Sequence, residues 1–72
     1  MTDPYESLAN AIILQAAKDY RAARKKQKYH PKNKDAKLMV EDLEKFFRSD
    51  WFAQLTDVNG EMLIRRLKEE VA

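Results

Sequence analysis

The stretch Phe46-Phe47-Arg48-Ser49-Asp50-Trp51-Phe52-Ala53-Gln54-Leu55-Thr56-Asp57-Val58-Asn59-Gly60 decides the fold. Five bulky apolar side chains, Phe46, Phe47, Trp51, Phe52 and Leu55, fall within ten residues, and the same stretch holds the only Trp and the only Gly of the chain. Such density between two chain breaks marks a corner where helices meet. Ser49 is a helix cap by its chemistry, because its hydroxyl can accept from N–H groups that have no partner inside the helix. Asp50 then suits the positive end of a short helix over 50–55. The alternative is that the preceding helix continues through this point with a kink. Thr56-Asp57-Val58-Asn59-Gly60 is the last turn, with Asp57 or Asn59 as the cap of the final helix. Gly60, inside the first turn of that helix, implies a close backbone approach or a need for a permissive dihedral.

Working outward, apolar residues upstream recur at Ala36, Met39, Val40, Leu43, Phe46 and Phe47, one stripe of a helix over about 34–48 with Asn33 as its cap. Glu41, Asp42, Glu44 and Lys45 fall mostly outside the stripe, and Glu41 and Lys45 are spaced for an i,i+4 pair. Downstream, Met62, Leu63, Ile64, Leu67 and Val71 form the stripe of a helix over about 59–70. At the start, Asp3 can cap, Pro4 fits the first helical position and Glu6 completes a capping box. Tyr5, Leu8, Ala9, Ile12, Ile13, Ala16, Tyr20 and Ala23 then keep helical periodicity over about six turns, giving a helix over about 4–27. Tyr29-His30-Pro31-Lys32-Asn33 ends it, since Pro31 disfavours helical geometry at His30.

No run alternates apolar and polar residues over a strand's length, and no repeat is present. The expectation is therefore an all-α single domain over 1–72, three main helices with a short helical corner at about 50–55. The expected core is Leu8, Ile12, Ala16, Tyr20, Met39, Val40, Leu43, Phe47, Trp51, Phe52, Leu55, Leu63, Ile64 and Leu67.

With 72 residues, a chain buries only about 60% of its unfolded surface. There is no Cys, which excludes disulfides and thiolate metal sites. No apolar run approaches the ~18 residues of a membrane span. Met1-Thr2-Asp3-Pro4 lacks the basic start and apolar core of a signal peptide, so a cytoplasmic protein without a membrane partner is expected.

Charge is unevenly distributed. Lys18, Arg21, Arg24, Lys25, Lys26, Lys28, Lys32, Lys34 and Lys37 are opposed between 18 and 37 only by Asp19 and Asp35, a net +7, while the remainder of the chain carries −5. Arg21, Arg24, Lys25, Lys28, Lys32 and Lys34 can contact nucleic-acid phosphates, with Tyr29 and His30 beside them. A solvated basic end is the plainer reading of the same residues. The Lys-rich character favours backbone contact over base readout.

Catalysis has little support. His30 is the only His and has no Cys partner. One Gly excludes a glycine-rich phosphate loop, and no cofactor or metal is expected. Asp57-Val58-Asn59-Gly60-Glu61 opens like a calcium loop, but its twelfth position is Lys68, where a bidentate Glu is required. The order short helix, turn, helix also allows a helix-turn-helix. Its second helix exposes Arg65, Arg66 and Lys68 together with Glu61, Glu69 and Glu70, which phosphates repel.

The aromatic cluster has two readings. Phe47, Trp51 and Leu55 suit a core. The stripe cannot bury both members of each aromatic pair, so Phe46 or Phe52, with Met62 or Met39, would form an apolar patch for a protein partner or a homodimer. A non-enzymatic accessory protein acting through such a surface is the expected function, with nucleic-acid binding through 18–37 as the alternative.

Phe46-Phe47-Arg48-Ser49-Asp50-Trp51-Phe52, Leu55-Thr56-Asp57-Val58-Asn59-Gly60-Glu61 and Leu63-Ile64-Arg65-Arg66-Leu67, with Ala16-Ala17-Lys18-Asp19-Tyr20-Arg21 upstream, resemble small proteins encoded by prophages and conjugative elements of low-GC Gram-positive bacteria. The resemblance covers the chain from about Ala11. It implies a setting, a mobile genetic element, and no mechanism, since such proteins have no assigned catalytic residues.

Overall fold

A computed structural model describes residues 4–71. The chain forms four helices, α1 (Pro4–Tyr29), α2 (Lys34–Phe47), α3 (Asp50–Leu55) and α4 (Gly60–Val71), with no strand among the described residues. The expected cap Asp3 and the side chain of Val71 lie outside the described residues.

Each break is closed by local chemistry. Helix α1 runs two residues further than the periodicity suggested. The His30 N–H donates to the Lys26 carbonyl at 2.7 Å, so the helix stops only where Pro31 forces its predecessor out of helical geometry. Asn33 starts α2 in extended geometry, with its Oδ1 accepting from the Ala36 N–H at 3.0 Å. Ser49 joins α2 to α3 in both directions: its hydroxyl donates to the Phe46 carbonyl at 2.6 Å and accepts from the Phe52 N–H at 3.2 Å. One side chain thus satisfies a free acceptor of one helix and a free donor of the next, and α2 ends there instead of continuing with a kink. Asn59, not Asp57, caps α4, accepting from the Met62 N–H at 3.1 Å.

Gly60 answers a close approach. Its φ is not positive, but a Cβ at this position would overlap the Phe47 carbonyl oxygen. The first turn of α4 is therefore set directly on the last turn of α2. Arg48 and Glu61 form an ion pair across the same junction.

Helix α1 packs against α2 and α4, and α3 closes the end of the bundle. Tyr20, Phe47, Phe52 and Leu67 are the fully buried large side chains, surrounded by Ala16, Ala17, Ala23, Val40 and Ile64. Four buried alanines of α1 (Ala9, Ala16, Ala17 and Ala23) present little bulk to the neighbouring elements. The aromatic rings meet edge to face, Tyr20–Phe47 at 5.9 Å and Phe47–Phe52 at 5.6 Å between centroids, a geometry that adds about 0.5–1.5 kcal/mol per pair beyond area burial.

Three expected core residues are on the surface instead: Leu8, Met39 and Trp51. Helix α1 has 26 residues and α2 has 14, roughly 39 Å against 21 Å at 1.5 Å per residue. The first turns of α1 consequently outrun α2, and Tyr5 and Leu8 are exposed. Met39 sits at the border of the α2 stripe, and Trp51 points away from the core that its neighbour Phe52 enters. Ile12, Leu43, Leu55 and Leu63 are half-buried.

Glu44, expected outside the stripe, has a side chain only 15% exposed and joins three helices. It accepts from the Tyr20 hydroxyl of α1 at 3.4 Å and faces Arg48 at 3.8 Å and Lys68 of α4 at 3.7 Å. Burial, reinforced by the Glu44 carboxylate, pushes the Tyr20 pKa up to about 12. The Glu41–Lys45 pair suggested by spacing does not form; the ion pairs among the described residues are Arg21–Glu70, Arg48–Glu44, Arg48–Glu61 and Lys68–Glu44.

Candidate docking surface

Two adjacent aromatic residues part company at the corner. The Ser49 cap fixes the phase of α3 so that Phe52 turns inward and is 2% exposed, while Trp51 is 58% exposed. The assignment of Phe52 to a partner surface is thereby corrected: its ring lies among Phe46 and Phe47 at 5.7 and 5.6 Å. Trp51 takes the outer position, edge to face with Phe46 at 5.5 Å. Phe46 is half-buried and touches both sets, the core rings on one side and Trp51 on the other.

Phe46 also forms one wall of an apolar groove between α1 and α2. Ala11, Ile12, Gln15, Ala16 and Asp19 come from α1, and Leu43 and Phe46 from α2. Leu43 belongs as well to a depression lined by Asp35, Leu38, Met39 and Asp42, so the two are continuous along α2. Leu38 and Met39 are exposed there. The result is a surface running from Trp51 past Phe46 to Met39, with both aromatic and flexible thioether character. Met62, the third residue expected on a partner surface, is exposed on the side of α4 turned from Ile64 and Leu67; the groove itself is built from α1 and α2.

The basic residues lie mainly on the opposite margin of α1. Lys18, Arg21, Lys25 and Lys28, three or four residues apart, share one helical face, and all four are exposed. Arg21, Lys25 and Lys28 line a groove with Ala22, Tyr29 and Glu70, where Tyr29 is 66% exposed. Glu70 of α4 takes part of that charge, pairing with Arg21 at 2.6 Å. Arg24, three residues from Arg21 and four from Lys28, borders this face and is half-buried, with its guanidinium donating to Gln27 Oε1 at 3.5 Å. Lys32 and Lys34 are exposed in the loop and at the start of α2, beyond the basic C-terminal end of α1. Lys18 was not among the six expected phosphate contacts and completes the stripe; its i,i+3 spacing to Arg21 is the signal that places it there.

His30 is exposed in the α1–α2 loop. No three His, Asp or Glu side chains gather as a metal ion would need among the described residues. No helix is long and apolar enough to cross a membrane among the described residues. On α4, Lys68 is half-buried and faces Glu44, while Arg48 binds Glu61 and holds its carboxyl below the usual range. Glu61 at the start of α4 and Lys68 in its last turn are therefore engaged with the α2 end and with Glu44. Compared with models of protein families, with curated proteins and with solved structures, the chain matches none.

Proposed function

We propose that the chain is a non-enzymatic helical interaction protein that docks a protein partner, or a second copy, on the surface running from Trp51 through Phe46 into the α1–α2 groove. The observation that carries this reading is the division of labour at the corner: Phe52 fills the core and Trp51, beside Phe46, is left 58% exposed. A large aromatic beside a half-buried one, continuous with an apolar groove, is the anchor chemistry of protein interfaces. The setting, a mobile genetic element of low-GC Gram-positive bacteria, comes from the sequence resemblance alone. Light scattering after size exclusion, together with partner capture by the wild type and Trp51→Ala, tests the reading. The expected result is an association weakened at least tenfold by Trp51→Ala with the helical signal unchanged. An association indifferent to that substitution removes the corner from the binding surface.

A second reading, nucleic-acid or other polyanion binding, is favoured by the stripe Lys18, Arg21, Lys25 and Lys28 with exposed Tyr29 at its end. Such binding weakens steeply with salt. A gel-shift series should then show a shift at low salt that Lys25→Glu with Lys28→Glu abolishes; no shift at low salt rejects it.

A further inference from the structure

We infer that the α1–α2 groove receives an amphipathic helix whose apolar face is flanked on both margins by Lys or Arg. The inference rests on the docking reading above and adds the chemistry of the occupant. The floor and walls of the groove are Ile12, Ala16, Leu43 and Phe46, extended along α2 by Met39. Asp35, Met39, Asp42 and Phe46 follow one another at four- and three-residue intervals on α2. They mark out about 16 Å of helix surface at 1.5 Å per residue, the length over which three turns of a docked helix make contact. Apolar anchors at helical spacing in such a groove are the usual mode of helix recognition, and Met adapts to the anchors it meets.

The charge around the groove specifies the margins of the partner. Asp19 stands on the α1 side, and Asp35 and Asp42 on the α2 side. None of the three belongs to an ion pair among the described residues, and Asp19 accepts only from Gln15 Nε2 at 2.9 Å. The residues that line the open apolar surface thus include three carboxylates and no Lys or Arg. Cations on a docked helix would meet them on both sides, giving register and a faster encounter. A second copy laid face to face on the same groove would instead set aspartates against aspartates.

The experiment uses the full chain and two synthetic amphipathic helical peptides with the same leucine face, one flanked by Lys and Arg, the other by Glu. Trp51 emission and amide chemical shifts report binding. The basic peptide should bind about tenfold more tightly at low salt, with shifts at Ile12, Leu43 and Phe46. The preference should shrink at high salt and vanish in the Asp19→Asn, Asp35→Asn, Asp42→Asn variant. Asp35 and Asp42 are exposed and Asp19 is half-buried, and an unchanged melting curve confirms the fold. Equal affinity for the two peptides overturns the assignment of charge while leaving the docking reading standing. Binding of neither, or shifts confined to other helices, overturns the groove as a helix site. A dimer that covers Ile12 and Phe46 overturns the foreign helix and keeps the docking surface.

Discussion

Helix α2 has two apolar sides, and only one of them is covered. Its inner side places Val40 and Phe47 in the core and sends Glu44 to Tyr20, Arg48 and Lys68. Its outer side carries Leu38, Met39 and half-buried Phe46, with Trp51 of α3 beside them, and Leu38, Met39 and Trp51 are exposed among the described residues. Residue types hardly differ between the two sides. What differs is whether another helix of the same chain is long enough, and set at the right angle, to reach them. Apolar periodicity therefore identifies an apolar side without saying what covers it, and the side left open here is the one proposed to receive a partner.

Substitutions on the inner side should act on stability. Phe47→Ala removes a fully buried ring held by Tyr20, Phe46 and Phe52, at a cost of about 3–5 kcal/mol. That approaches the whole stability of a domain of this size, so urea titration should find the variant largely unfolded. Gly60→Ala is smaller in chemistry but meets backbone. The new methyl overlaps the Phe47 carbonyl oxygen, and α4 must shift to admit it, costing roughly 1–3 kcal/mol by analogy with overpacking. A melting curve as steep and as high as that of the wild type would show that α4 does not rest on α2 as described.

The inner side also predicts a pH response. The folded chain holds the Tyr20 proton more tightly than the unfolded chain, with the pKa raised from 10.0 to about 12. Stability from this group is complete below pH 10 and falls as pH rises from about 10 towards 12, where the unfolded state has already released its proton. Urea midpoints measured through that range should fall in the wild type and fall less in Tyr20→Phe. Equal slopes would remove the buried hydroxyl from the account.

The outer side should behave in the opposite way. Trp51→Ala should change folding stability by no more than about 0.5 kcal/mol, the ordinary range for a surface position, while removing the proposed docking anchor. A loss of several kcal/mol would move Trp51 into the core and erase the difference between the two sides.

The same contrast explains what the sequence made legible. Helices α2, α3 and α4 could be read because Asn33, Ser49 and Asn59 act on N–H groups three residues away, and such chemistry is written locally. Gly60 was legible as a special position; that the need was space and not a dihedral took the backbone of α2 to decide. The direction of Trp51 and Phe52 was not legible. Helix α3 has six residues, under two turns, too few for a period to reveal which of two neighbouring aromatics faces inward. Glu44 was missed because Tyr20 and Lys68, far away in sequence, supply the reason for burying part of a carboxylate. The basic residues were legible as a segment; that Arg24 is half-buried and that Glu70 of α4 pairs with Arg21 depended on the packing of other helices. The groove and its aspartates depend on two helices lying side by side, and neither stripe alone discloses it.

The most direct test is acrylamide quenching of Trp51 fluorescence in the isolated protein, with light scattering on the same sample. Trp51 is the only tryptophan, so its emission reports the outer side without labelling. A monomer should emit near the wavelength of tryptophan in water and be readily quenched, with both properties changing when a partner docks. Blue-shifted emission shielded from quencher in a monodisperse monomer would contradict the open outer side, and with it the proposed docking surface.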